Sequence, residues 1–333
     1  MTKQVLLVGG YGVVGSQAAR LLRQRHPGLP ILIGGRDLEK ARALAQALGN
    51  ARAVRIDTGQ PGLGLGRDAA LSAVVMMTPD DGLHGLRLAQ DKRIPYLSIG
   101  NWLVEIGAEL AHFARRPDAS AVVLASHWHA GAAVFLALAA VTGFDTIHAI
   151  RVGAVVDTLD PTGPAAIEDM ARAADGGAGA LAFEAGRRVW LSGDTAVGTV
   201  RAIDGRLLRG SAFAPYDIAS LQAATGAGSV RFDLAMEVSS SRLRGGAVAT
   251  ELILEIEGEA AGVSKLRRST IEFAKGQAAL TGLGAMLALS TLLGLEGRPV
   301  AAAGLYFPEH LMTPRWFLAE LSRAGATITV GGD

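Results

Sequence analysis

A glycine-rich turn caught between an apolar strand and a helix limits the fold of this chain more than anything else in its sequence. Gln4 to Val8 reads as a short buried strand and Val13 to Gln24 as a helix, and between strand and helix runs Gly9-Gly10-Tyr11-Gly12-Val13-Val14-Gly15. Gly10, Gly12 and Gly15 make the spacing G-x-G-x-x-G. In a strand-turn-helix context each glycine has a steric reason. Gly10 allows the tight turn, Gly12 removes a side chain where a pyrophosphate must approach the backbone, and Gly15 lets helix and strand pack closely. The amides and positive end of the helix complete an anion site, so Tyr11, Val13 and Val14 join the glycines as expected contacts. A glycine-rich turn without a ligand is the plainer alternative, and the flanking pattern weighs against it.

That flanking pattern is β-α-β-α. Ile31 to Ile33 and Asp37 to Leu48 supply the second strand and helix, with Leu38, Ala41, Leu44, Ala45 and Leu48 on one face and Asp37 as N-cap. Ala53 to Asp57, Ala73 to Met77, Pro95 to Ile99 and Ala121 to Ala125 read as further strands. Their cores lack strict polar alternation, as parallel strands covered on both faces do. From Thr146 onward the texture changes. Thr146 to Asp157, Arg188 to Ser192, Ala196 to Ile203, Ser229 to Ser239 and Ala247 to Glu257 look antiparallel, the last alternating as a sheet with one wet face does.

The expected fold is therefore an α/β Rossmann domain with a doubly wound parallel sheet, followed by an α+β domain with a mostly antiparallel sheet. A chain of 333 residues is long enough for two cores. The expected boundaries are 1–128 for dinucleotide binding, 129–300 for substrate and dimer contacts, and 301–333 as a C-terminal segment returning to the first domain. Ala174 to Gly179 and Gly59 to Gly66 read as flexible connectors.

The end of the second strand selects the dinucleotide. An NAD enzyme places an acidic residue there for the ribose hydroxyls, whereas this chain has Gly34-Gly35-Arg36. Arg36 offers planar donors to a 2′-phosphate and a face for the adenine, while Asp37 is better used capping the next helix. NADP(H) is the expected cofactor; a solvated arginine in a turn is the alternative. Asp57, closing the third strand, is placed to accept from the adenine amino group or to serve its own turn. Thr78 and Pro79 after the fourth strand and Gly100, Asn101 and Trp102 after the fifth lie at the carboxyl edge, where ligands bind in such sheets. Thr78, Pro79 and Gly100 are expected on the cofactor, and Asn101 and Trp102 on the substrate.

Composition narrows the chemistry. The chain has no cysteine, which excludes disulfides, thiolate catalysis and Cys-ligated metals or clusters. A net charge of +1 with only short basic clusters such as Arg267-Arg268 leaves no stripe for nucleic acid. Met1-Thr2-Lys3 runs straight into the first strand without a signal-type apolar region, so the expected address is the cytoplasm. Gly276 to Leu295 is uncharged and long enough to span a bilayer, yet Gln277, Thr281, Ser290, Thr291 and its glycines dilute it. A buried helix explains it better than a membrane span.

The fingerprint Val8 to Gly15, the turn Gly35-Arg36-Asp37-Leu38-Glu39-Lys40-Ala41 and the break near Gly131 together resemble the saccharopine dehydrogenase family. The ending Gly304-Leu305-Tyr306-Phe307-Pro308-Glu309-His310 with Trp316-Phe317-Leu318 is similar to the family's bacterial members. The resemblance implies a Rossmann domain, an inserted α+β domain for substrate and dimer contacts, and hydride transfer at a carbon–nitrogen bond. Where the family carries a segment like Gly-Phe-Asp-Pro-Gly, this chain has His127-Trp128-His129-Ala130-Gly131, of which Gly131 alone matches.

Reduction of an imine or carbonyl needs a proton donor unless the nitrogen arrives protonated. His129 is the preferred donor. His127 and His129 lie two apart and point the same way if extended, and the helix that follows acts on their pKa. A His-x-His metal half-site is the sharper rival, without a Cys or nearby carboxylate to complete it, and a structural role for both is the plainer one. Trp128 is a substrate wall or core. Tyr216 and Arg242 are candidates for holding an anionic substrate, against a solvated loop as the alternative, and Glu309-His310 is a second acid–base candidate whose place in the family-like ending suggests a structural role more than catalysis. The reading is an NADP(H)-dependent oxidoreductase acting on a C–N bond of a small metabolite, its site between two domains, forming a homodimer without nucleic acid, membrane or metal. A carbonyl reductase on the same fold and a non-catalytic NADP(H)-binding sensor are the alternatives.

Overall fold

The structure is a computed structural model and describes residues 3–66, 68–161, 163, 179–295 and 297–331. The described residues separate into two compact units. The first comprises the described parts of Met1–Ser126, Thr162–Asp169 and Thr281–Met312, and the second those of His127–Pro161, Met170–Leu280 and Thr313–Asp333. Of the expected connector, Ala174 to Ala178 lie outside the described residues.

In the first unit the strands are β1 (Gln4–Val8), β2 (Ile31–Gly35), β3 (Ala51–Arg55), β4 (Leu71–Met76), β5 (Tyr96–Ser98) and β6 (Ala121–Leu124). A further strand, β15 (Gly304–Tyr306), joins from the far end of the sequence. The order β15-β6-β5-β4-β1-β2-β3 is parallel at every pairing. The order of the strands reverses between β1 and β4, and doubly wound sheets take their ligands at the carboxyl edge beside such a switch point. Val5, Leu6 and Leu7 are all 0% exposed, which is why β1 reads as an unbroken apolar run rather than an alternating one. Each such side chain contributes about 1.5–3 kcal/mol through burial.

The helices of this unit follow their sequence signals closely. α1 (Val13–Arg25) starts at the glycine turn, and α2 (Leu38–Leu48) is capped by Asp37, whose side chain accepts from the N–H groups of Glu39 and Lys40. α3 (His84–Lys92) and α4 (Ile106–Ala114) follow β4 and β5. The segment weighed as a membrane span is the helix Gln277–Leu292, buried along most of its length. A Cβ on Gly282 would lie 2.9 Å from the Ala18 amide, so that glycine lets the helix press against α1. No helix among the described residues is long and apolar enough to cross a membrane.

The second unit carries a nine-stranded sheet. Its strands are β7 (Thr146–Val156), β8 (Ala180–Glu184), β9 (Arg187–Leu191), β10 (Val197–Arg201), β11 (Leu207–Ala212), β12 (Ser229–Met236), β13 (Thr250–Ala260), β14 (Val263–Phe273) and β16 (Thr327–Thr329). Pairing is antiparallel except between β7 and β12, which are parallel. A parallel pair needs a crossover, and the path from β7 to β12 includes the helix Asp217–Thr225. The wet face expected of β13 is wet only in its second half. Glu255 and Glu257 pair there with Arg268 and Arg151, whereas Ile253 is buried under Val200, Leu208 and Ala235.

Candidate functional site

The glycine turn divides its duties differently from the expectation. The left-handed residue is Gly9, at φ 75°, rather than Gly10. Gly10 is required for space instead, because a Cβ there would sit 2.8 Å from the Leu7 carbonyl oxygen. At Gly15 a Cβ would meet the Gly9 oxygen at 2.3 Å, which is the close helix–strand approach foreseen. Gly12 is the N-cap of α1, with extended φ and ψ of −65° and 178°. A Cβ there would touch only the Gly9 oxygen, at 3.1 Å. The side of Gly12 away from that oxygen is therefore open, and the first turn of α1, with Val13 and Val14, carries no acidic residue to oppose an anion.

Tyr11 lies across the end of β2. Its ring occupies the space a Cβ on Gly35 would need, 2.2 Å from Cε1, and its hydroxyl accepts from the Asp37 N–H at 2.9 Å. Tyr11 thus brackets Arg36, which is exposed and has no hydrogen-bond or ion-pair partner among the described residues. Asp37 is tied to the α2 cap, and the Lys40 amide foremost holds its carboxyl below the usual range. The exposed Asp57 accepts from the Gly59 N–H at 3.0 Å, the self-contained turn of its plainer reading.

At the carboxyl edge the loops after β4 and β5 touch through backbone. A Cβ on Gly100 would stand 2.6 Å from the Thr78 carbonyl carbon and 2.8 Å from the Pro79 nitrogen. Asn101 is woven into this ledge, donating from Nδ2 to Glu109 Oε1 at 2.6 Å and from its backbone N–H to Ser126 Oγ at 3.1 Å. The Trp102 N–H donates to Glu105 Oε2 at 2.7 Å. Beneath the ledge Asp80, 1% exposed, accepts from the Gly85 and Leu86 amides and from the Tyr96 hydroxyl. Burial first, and then the charges of Asp80 and Glu109, raise the Tyr96 phenol well above its usual range. These buried acids escaped the sequence reading, although Glu109 falls on the helical stripe of Ile106, Leu110 and Phe113, where an acid is out of place.

Glu309 and His310 lie in the first unit, where His310 Nδ1 accepts from the Phe307 N–H at 3.2 Å; the other candidates belong to the second unit, and most have structural partners there. His127 meets Ser220 Oγ through Nε2 at 2.8 Å and stands edge-on to Tyr216, which is 1% exposed and part of the core rather than open to a ligand. Trp128 donates its backbone N–H to Asp217 Oδ2 at 2.6 Å and packs its ring on Phe213 and Phe232. Arg242 pairs with Asp157 at 3.2 Å, so it balances a buried carboxylate rather than waiting for an anionic substrate. His129, 3% exposed, meets Thr250 Oγ1 at 3.2 Å, and burial lowers its pKa to about 3. An imidazole so held is neutral near pH 7. His129 and Ala130 both have positive φ, at 50° and 53°, and Gly131 follows at 102°. Among the described residues no group of three or more His, Asp or Glu stands ready to hold a metal.

No protein-family model matches the sequence, and no curated protein matches it either. Solved structures do match. Saccharopine dehydrogenase (L-Glu forming) from Saccharomyces cerevisiae aligns over 98% of this chain and 100% of its own, at TM-score 0.65 and 12% identity. GenD2 of gentamicin A biosynthesis, solved in complex with NAD, aligns over 99% and 97%, at TM-score 0.50 and 13% identity. A probable dehydrogenase from Thermotoga maritima aligns over 98% of each chain, at TM-score 0.50 and 12% identity. The fold is thus that of saccharopine dehydrogenase and other Rossmann-fold dehydrogenases, as the resemblance in the fingerprint implied.

Proposed function

We propose that this chain is an NADP(H)-dependent oxidoreductase that forms or oxidises a carbon–nitrogen bond of a small metabolite. The observation that carries the reading is the open side of Gly12, at the start of a helix free of acidic groups in its first turn, with Arg36 at the end of the neighbouring strand and without a partner among the described residues. A dinucleotide fits these residues. The amides of Tyr11, Val13 and Val14 would hold its pyrophosphate, those of Gly10 and Gly12 being used within the turn, Arg36 its 2′-phosphate, and the ledge of Thr78, Pro79 and Gly100 its nicotinamide ring. When bound, the nicotinamide supplies or takes up the hydride.

The protein's own part is to bind, orient and keep charge in place. Tyr11 steadies the backbone on either side of Arg36 so that the guanidinium meets a phosphate with two parallel N–H groups. His129 is neutral at physiological pH. A substrate nitrogen can bring its own proton to an imine, whereas a carbonyl oxygen needs one delivered. The likeness to saccharopine dehydrogenase in fold supports C–N chemistry.

Titration of the purified protein with NADPH and NADH, followed by nicotinamide fluorescence in wild type and Arg36→Ala, tests this. The expected result is tight NADPH binding that weakens about tenfold or more in the variant, the scale of a lost charge-assisted contact, with NADH unchanged. Equal or better binding of NADH by the wild type would sink the cofactor assignment.

A further inference from the structure

Asn101 is the point where the carboxyl-edge loops of the first unit meet. It accepts from the Asp80 N–H at 3.4 Å, donates its own N–H to Ser126 Oγ at 3.1 Å, and donates its side-chain amide to Glu109 Oε1 at 2.6 Å. The same Glu109 oxygen accepts from Ser98 Oγ at 3.1 Å. Glu109 and Ser98 are each 1% exposed. Burying a carboxyl group is costly unless hydrogen bonds compensate, and an apolar residue on this stripe of α4 would have packed at no such cost. The acid therefore has a job that packing alone does not explain. Its bonds hold the end of β5 and the loop after it, while Gly100 leaves that loop pressed on the backbone of Thr78 and Pro79.

A doubly wound sheet is two mononucleotide-binding halves, and β4, β5 and β6 make the half opposite the glycine turn and Arg36. Resting on the cofactor reading above, we infer that Glu109, through Asn101, is a positioning residue for the nicotinamide end of the dinucleotide. It acts on the ledge under the nicotinamide ring and leaves the adenosine half alone.

The test uses two probes on the whole protein: NADPH, and 2′-phospho-ADP-ribose, which lacks the nicotinamide. Asn101→Asp sets a carboxylate against Glu109. NADPH is expected to weaken about tenfold while 2′-phospho-ADP-ribose changes by less than about twofold, because only the nicotinamide half loses its support. Glu109→Gln alone sets the baseline for the rescue: it keeps an acceptor oxygen for Asn101 and should weaken NADPH by less than Asn101→Asp does, again sparing 2′-phospho-ADP-ribose. Combined with Asn101→Asp it offers an amide donor to the new carboxylate, and NADPH affinity should return. NADPH binding unchanged in Asn101→Asp, equal losses of both probes, or no rescue in the double variant would each overturn the inference. A wild type that binds neither probe would instead remove the cofactor reading on which it rests.

Discussion

Alanine placed at Gly12 and, separately, at Gly15 should separate ligand binding from packing within one turn. At Gly15 the added carbon would lie 2.3 Å from the Gly9 oxygen and 2.8 Å from the Gly10 Cα. Both are backbone atoms, so relief requires α1 to move off β1, an overpacking cost of about 1–3 kcal/mol or more. Better helix propensity returns up to about 1 kcal/mol of that. The first unit should therefore lose about 1–2 kcal/mol, a fall of roughly 2–8 °C in melting temperature. At Gly12 the backbone angles suit alanine and the nearest neighbour is 3.1 Å away. A weaker N-cap and a stiffer unfolded chain nearly cancel there, leaving stability within about 1 kcal/mol of wild type. The methyl group nonetheless points where the pyrophosphate would lie, and NADPH affinity should fall about tenfold or more. Thermal melts followed by circular dichroism, with NADPH titration of each variant, read both effects. A Gly12→Ala protein that binds NADPH normally would refute the cradle, and a Gly15→Ala protein that melts with wild type would refute the steric argument.

Other expectations follow from the second unit. His129 has a folded pKa near 3 against an unfolded value of 6.5, so the unfolded chain binds a proton that the native state refuses. Its contribution is complete above pH 6.5 and is lost as the pH falls toward 3, by as much as ~5 kcal/mol, and His129→Gln should flatten that part of a stability-against-pH curve. Ala130 is buried with φ 53°, so Ala130→Gly should stay within about 1 kcal/mol of wild type in urea unfolding, while Ala137→Gly in the helix Ala132–Ala140 loses about 1–2 kcal/mol. Equal losses at the two positions would contradict the strain assigned to this turn. Arg242→Ala should lower stability by about 1–2 kcal/mol through the buried Asp157 and leave turnover of any substrate found later with an unchanged KM; a large rise in KM would restore Arg242 as a substrate anchor.

The first sheet was legible because its signals are local. An apolar run, a glycine turn and a 3.6-residue stripe each lie within a dozen residues, and they placed β1 and α2 to within a residue. The second sheet was legible in outline, but not in its pairing: the parallel contact of β7 with β12 depends on a crossover, and no pattern inside either strand announces it. Four of its strands escaped: β8 and β16 are brief, Leu207 to Ala212 carries Arg209 and Gly210, and β14 (Val263–Phe273) has a polar, basic first half with Lys265, Arg267 and Arg268. At the site, the glycine spacing and the place of Arg36 after the second strand are read from position alone, whereas the partners of Arg242, Tyr216 and His129 are not, because the type of a side chain does not disclose its neighbours. Asp157 lies 85 positions before Arg242, and Thr250 lies 121 beyond His129.

The late arrival of β15 bears on how the protein is made. A ribosome releases β6 with its outer edge bare, and Gly304–Tyr306, which pairs with it, emerges only after almost the whole second sheet has been translated. At ordinary rates of synthesis that interval is roughly 10 s or more. During it the nascent chain presents the row of unpaired N–H and C=O groups on which another strand can build. Conditions that crowd nascent chains together should therefore reduce the soluble yield before they touch the stability of the finished protein.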